Sequence, residues 1–229
     1  MTGTIINAAA IIGGGLVGLL LRKGIPERIN VTIQHAMGLL VLIIGIQYTF
    51  NVQNLAVIGV SLVLGAIWGE WQDWEEKLQL LGNKLQNKFS SNDNHFVKGF
   101  VSASLLFCVG AMAVVGALED GLTGNYEILL VKSLLDGVFS IIFTASMGIG
   151  VIFSALPVLF YQGGISLASG IIKPFLTDPM LNNITALGGL LIAGLGLNIL
   201  QITHIRVANL LPGIIMVPLV MSIISMLSF

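Results

Sequence analysis

Apolar runs separated by short polar connections dominate this chain. The runs over residues 4–21, 31–50, 55–68, 97–117, 129–156, 183–200 and 207–227 are mostly aliphatic, aromatic or glycine. A helix needs about 20 such residues to cross the hydrocarbon of a bilayer. The pattern therefore predicts an all-α polytopic membrane helix bundle of about seven spans, forming a single transmembrane domain over 1–229. The stretch after Asp136 divides the reading. Gly148, Gly150, Pro157, Gly163 and Gly164 argue against one straight helix there. Residues 159–172 are short for a span at about 1.5 Å per residue, and they read as a re-entrant segment, a broken half-helix or an eighth span. Seven spans with a broken fifth is the favoured reading, and eight is the alternative.

One polar-rich stretch keeps helical periodicity. Trp71, Trp74, Leu78, Leu81 and Leu85 recur on one face against Asp73, Glu76, Lys77 and Lys84. This predicts an amphipathic interfacial helix over 71–90, with Trp68, Trp71 and Trp74 at headgroup level. It serves as an anchor or, in a sharper reading, as a regulatory paddle. Residues 90–95 (Ser-Ser-Asn-Asp-Asn-His) read as a polar loop.

Composition agrees with lipid as the solvent. Hydrophobic residues make up 55% and charged residues 9%, against about 25% charged in a soluble domain, and mean hydropathy is +0.96. A net charge of −1 gives no reason to expect a nucleic-acid partner. The single cysteine, Cys108, sits in an apolar run and reads as a packed residue. The first span lacks a basic segment before it, so it reads as a permanent span rather than a cleaved leader. Arg22, Lys23, Arg28, Lys77, Lys84, Lys88 and Lys98 would share one side, and Glu119, Asp120 and Glu127 the other. The positive-inside rule then puts the N-terminus on the outer side of the membrane.

Candidate chemistry concentrates in 128–177, where only Lys132, Asp136 and Lys173 are charged. Lys132, Asp136, Ser140 and Thr144 stand four apart, a polar stripe down one helix face. An ionisable residue inside a membrane span is costly and marks a functional site. A self-neutralised structural pair is the competing reading, as is a Lys132 that snorkels to the interface. Asn7, on a span of small and aliphatic residues, joins the candidate pathway with Asp120, Gln162 and Asn198. Gln34, Gln47, Ser102, Ser104 and Asn209 read singly as interhelical hydrogen-bonding residues. Glu119, Asp120 and Asp136 would offer oxygen ligands to a hard cation only if Asp120 folded back toward the bundle. His35, His95 and His204 are scattered, and no nucleophile elbow or cysteine–histidine pair is present, so no enzyme and no cofactor are expected. Gly13-Gly14-Gly15-Leu16-Val17-Gly18 has no strand before it and reads as a close-packing face, within one chain or between two in a homo-oligomer.

The two ends of the chain echo each other. Gly38-Leu39-Leu40-Val41-Leu42-Ile43-Ile44-Gly45-Ile46-Gln47 aligns without gaps to Gly189-Leu190-Leu191-Ile192-Ala193-Gly194-Leu195-Gly196-Leu197-Asn198. A weaker echo relates Thr4–Ala9 to Ser140–Ala145. Repeat halves over 1–70 and 130–229 would suit a transporter, in which paired broken helices meet near midplane. Seven spans would make the repeat parallel, and eight would make it inverted.

Several short motifs carry a family likeness. They are Gly3-Thr4-Ile5-Ile6-Asn7-Ala8, Gly13-Gly14, Lys23-Gly24-Ile25-Pro26, and Gly110-Ala111-Met112-Ala113 with Gly116. Asp120-Gly121-Leu122, Lys132-Ser133-Leu134-Leu135-Asp136-Gly137, Gly148-Ile149-Gly150-Val151, Ser154-Ala155-Leu156-Pro157 and Tyr161-Gln162-Gly163 complete the set. Together they resemble the uncharacterised bacterial inner-membrane family that includes YqgA and YdfK. The resemblance implies a transport or membrane protein with no assigned substrate. With the lipid bilayer and a small ion or polar solute as partners, the expected function is a transporter or channel. A non-transporting scaffold or sensor acting through its amphipathic helix is the alternative.

Overall fold

A computed structural model describes residues 1–22, 26–89 and 95–227, and it contains no strand among them. Lys23 and most of the 90–95 loop lie outside the described residues. The helices are α1 (Thr2–Arg22), α2 (Glu27–Thr49), α3 (Leu55–Gln72), α4 (Trp74–Phe89), α5 (Phe96–Cys108), α6 (Ala111–Leu122) and α7 (Glu127–Met147). A 3₁₀ segment (Ile149–Ser154) then runs into α8 (Ala155–Leu167), followed by α9 (Ser169–Ile172), α10 (Asp178–Ile199), α11 (Val207–Leu210) and α12 (Pro212–Leu227).

Among the described residues, seven helices are long and apolar enough to cross a membrane. They are a different seven from those the hydropathy pattern outlined. The run 129–156 is not one broken span: α7 is a full-length helix, and Ile149–Leu167 forms the next one. The run 97–117 is the broken one, because α5 and α6 meet at a 62° bend and qualify only as a pair. Counting that pair gives eight. Inside these apolar runs, hydropathy gives no sign of Gly110 and marks Gly148 only as a break within one span, not as a boundary between two. Their backbones take φ of +129° and +87°, a region that residues with a Cβ rarely enter.

The bundle is assembled from face-to-face helix pairs: α1 with α7, α2 with α10, α3 with α12, and α5–α6 with the 3₁₀ segment and α8. α1 and α7 run the same way. Gly3 lies against Leu129, Gly14 against the Gly137 carbonyl and Gly18 against the Ile141 carbonyl. Gly14, Gly15 and Gly18 of α1 are therefore used inside the chain, whereas Gly13 faces open space. α2 and α10 run oppositely. A Cβ at Gly189 would stand 2.6 Å from the Gly45 carbonyl oxygen, and one at Gly196 would stand 3.0 Å from that of Gly38. Without a hydrophobic drive between helices in lipid, such backbone approach supplies the packing energy. The Asn183 side chain ties the far end of this pair, accepting from the Gln53 and Asn54 amides at 3.0 and 3.1 Å.

The amphipathic stretch forms α4, entered through Asp73 in the left-handed region (φ 51°, ψ 51°). Its apolar face does not lie wholly on lipid. Gly82 packs on Phe100, and Trp74, Leu78 and Leu81 roof a cavity against the bundle, whereas Trp71, expected on this face, belongs to the last turn of α3 and is 80% exposed.

Candidate functional site: a buried lysine–aspartate cluster

Helical spacing puts Lys132 and Asp136 one turn apart on α7, and the α1 seam encloses both, leaving them 5% and 6% exposed. Their side chains form an ion pair. The Lys132 ammonium also donates to the Phe107 carbonyl at 2.8 Å. That carbonyl belongs to the last turn of α5, where the break at Val109–Gly110 removes its helical partner. The bend between α5 and α6 thus creates the acceptor that lets a lysine stay inside the bundle instead of snorkelling outward.

Asn7 completes the cluster from α1. Its amide nitrogen donates to Asp136 Oδ2 at 3.0 Å and to Gln162 Oε1 at 3.2 Å. A carboxylate needs donors, so Asp136 fixes which end of Asn7 faces it. Asn7 in turn fixes Gln162 with its oxygen inward. The remaining amide ends, Asn7 Oδ1 and Gln162 Nε2, are buried without a partner, as are the Thr4 and Thr144 hydroxyls. Buried polar atoms left unpaired cost free energy and usually have a reason to be there.

The candidates from the sequence separate into three groups. Asn7, Lys132, Asp136 and Gln162 meet in one cluster, joined by hydrogen bonds and an ion pair. Ser140 donates to the Ile11 carbonyl at 2.7 Å, and Thr144 lies against Gly18, so the lower half of the stripe packs against α1. Asp120 and Asn198 stand elsewhere. Asp120 receives the chain's amino group at 3.0 Å and the Gly3 amide at 3.1 Å, which caps the start of α1. Asn198 closes the 198–205 loop, donating to the Ile205 carbonyl at 2.6 Å and accepting from the Ile205 amide at 2.9 Å. Among the described residues, no group of three or more histidine, cysteine or acidic residues is placed to hold a metal ion.

Sequence reasoning missed two features. One is the Phe107 carbonyl, for which Gly110 inside an apolar run was the only signal. The other is a polar knot where α3, α4 and α11 meet. There Asn209 donates to Glu70 at 2.6 Å and accepts from the Glu75 amide at 2.7 Å, Glu75 accepts from the Ala208 amide at 3.0 Å, and Arg206 pairs with Glu70. It binds α4 to the bundle.

Two cavities open beside α4. One, of about 670 Å³, is polar and includes Glu75, Lys98, Ser102, His204 and Arg206 in its wall. The other, of about 530 Å³, is largely apolar and reaches Cys108 and Tyr161. Leu105 borders both.

Two known proteins are similar to this chain over most of its length. The "Uncharacterized membrane protein YdfK" of Bacillus subtilis is 34% identical over 228 residues, covering 98% of this chain and 97% of that protein. The "Uncharacterized protein YqgA" of Escherichia coli is 35% identical over 219 residues, covering 93% of each. No solved structure matches the chain. The model of the family described as "Protein of unknown function (DUF554)" matches residues 2–222, the whole lysine–aspartate cluster included, and this membrane protein belongs to that family.

Proposed function

We propose that the protein is a transporter or channel for a small ion or polar solute, working in the bacterial inner membrane with its Met1 face outward. The observation that carries this reading is the Lys132–Asp136 pair, enclosed by α1, the broken end of α5 and α8, with unpaired polar atoms on Asn7 and Gln162. A buried ion pair yields little net stability, so a lock for the bundle is a weak reason to keep one in lipid. A proton or small cation arriving at Asp136 would neutralise it and free Lys132, a two-state change at the centre of the molecule. The orientation is supported by Arg22, Arg28, Lys77, Lys84, Lys88 and Lys98 on the face opposite Asp120.

The glycine seam supports an inverted repeat. Gly38 and Gly45 of α2 correspond to Gly189 and Gly196 of α10, and the contacts pair Gly38 with Gly196 and Gly45 with Gly189. A two-fold axis in the membrane plane exchanges these two contacts, relating the α2–α3 hairpin to the α10–α12 hairpin. The echo between Thr4–Ala9 and Ser140–Ala145 falls outside this operation, since α1 and α7 run parallel. Inverted repeats with broken helices near the axis are a common frame for alternating access.

No enzymatic step is proposed. In proteoliposomes with an internal pH dye, wild-type protein should dissipate a proton gradient when a transported solute is added. Asp136→Asn should abolish that flux while the protein still elutes as a folded species. Wild-type flux in that variant would overturn the proposal. A scaffold or sensor acting through α4 makes the opposite forecast: deleting α4 would end function, and Asp136→Asn would be tolerated.

A further inference from the structure

The apolar cavity under α4 and the charged cluster are separated by one residue on each of two helices. On α5, Cys108 lines the cavity, and the carbonyl of the preceding Phe107 holds Lys132. On α8, Tyr161 lines the cavity, and the following Gln162 holds Asn7. Cys108 and Tyr161 are each only partly buried, whereas Phe107 and Gln162 are fully enclosed. Neighbouring residues of α5 and of α8 thus serve the cavity and the cluster, and two of the cluster's groups are donors: the Lys132 ammonium and the unpaired Gln162 Nε2.

We infer that this cavity is the binding chamber for the solute's apolar body, and that the solute is an amphipathic organic anion of the carboxylate class. The inference rests on the transport reading of the Lys132–Asp136 site and specifies its substrate. Three observations support it. A mostly apolar chamber of about 530 Å³ suits a small organic body and gives a bare inorganic ion nothing to hold. The orientation chain from Asp136 through Asn7 to Gln162 leaves a free donor, Gln162 Nε2, on the residue that follows the cavity-lining Tyr161, while the free acceptor, Asn7 Oδ1, is on α1. Positive charge lies along the approach: Lys77 borders the chamber, and Lys98 borders the adjoining polar cavity with no ion-pair partner among the described residues. The carboxylate passes between Cys108 and Tyr161, then takes the Gln162 amide and the Lys132 ammonium once Asp136 has been neutralised.

Cys108 is the chain's only cysteine and stands at this threshold, so it reports occupancy without engineering. The test is the rate of Cys108 alkylation by a small neutral maleimide, on full-length protein in nanodiscs, with octanoate or octanamide as probe. Octanoate should slow labelling by about tenfold, the scale of a charge-assisted hydrogen bond, and octanamide should not. Gln162→Met and, separately, Lys132→Gln should each remove the protection, with thermal unfolding showing that the variant is folded. Gln162→Met keeps the volume and the ion pair, so it serves if Lys132→Gln fails to fold.

Equal protection by both probes would overturn the assignment, as would protection that survives Gln162→Met. A thiol that bilayer phospholipid shields without any probe would overturn it too, because the chamber then holds a lipid chain. Binding without flux would sink the transport reading alone. Asp136-dependent flux of some other solute, with no octanoate protection, would sink only this inference.

Discussion

Two helix seams hold the molecule together and differ in what they bury. The α2–α10 seam is antiparallel, and its centre is glycine against backbone, with Gly45 facing Gly189 and Gly38 facing Gly196. The α1–α7 seam is parallel and uses glycine in the same way at Gly14 and Gly18, yet it also encloses Asn7, Lys132, Asp136 and Ser140. Both pack helices closely in a solvent where close packing is the main attraction. The first seam shows that this architecture needs no charge to hold a pair of spans together. The ion pair is what sets the second seam apart, and it is the feature on which the proposed function rests.

The sharpest way to test that contrast is to remove charge from one seam and space from the other. Lys132→Met leaves Asp136 uncompensated among helices and should destabilise the protein by about 4 kcal/mol in reversible detergent unfolding. Adding Asp136→Leu should recover stability to within about 1 kcal/mol of wild type, since a buried pair is worth little net. If that double variant also lost all flux, the pair would be functional and structurally dispensable. If it stayed as unstable as the single variant, the pair would be holding the bundle.

In the uncharged seam, Gly45→Val forces a side chain against the backbone of Ala193 and Gly189 and should cost about 3 kcal/mol by the same measurement. Asn7→Leu strips one donor from Asp136 and one from Gln162 and should cost about 2 kcal/mol. Ser140→Ala removes a single interhelical hydrogen bond to the Ile11 carbonyl, and a loss of about 0.6 kcal/mol is expected. A larger effect from Ser140→Ala than from Asn7→Leu would reverse the ranking and move the energetic centre of the seam toward Thr144.

How much of this was legible beforehand depends on the residue. Asn7, Lys132 and Asp136 stood out because polar groups in apolar runs are conspicuous, and their four-residue spacing placed the charged pair on one face. Gln162 was visible as a polar residue, but its bond to Asn7 spans 155 positions and follows only from the packing of α1 on α8. Asp120 and Asn198 were equally conspicuous by type. Asp120 instead reaches across the fold to cap the start of α1, and Asn198 caps local structure at the end of α10, where free backbone groups need partners.

Hydropathy determined that the chain is a helical membrane protein, because in lipid a span must satisfy its own backbone hydrogen bonds and only long apolar helices do so here. Glycine spacing also marked faces of α2 and α10 suited to close approach, and the two helices pack there. Tertiary structure alone decided where helices break, which way paired helices run, and which polar residues share a site. Breaks at Gly110 and Gly148 depend on backbone conformations that hydropathy does not record. The carbonyl that holds Lys132, and the cavity under α4 that borders Cys108 and Tyr161, exist only once α5, α7 and α8 have packed.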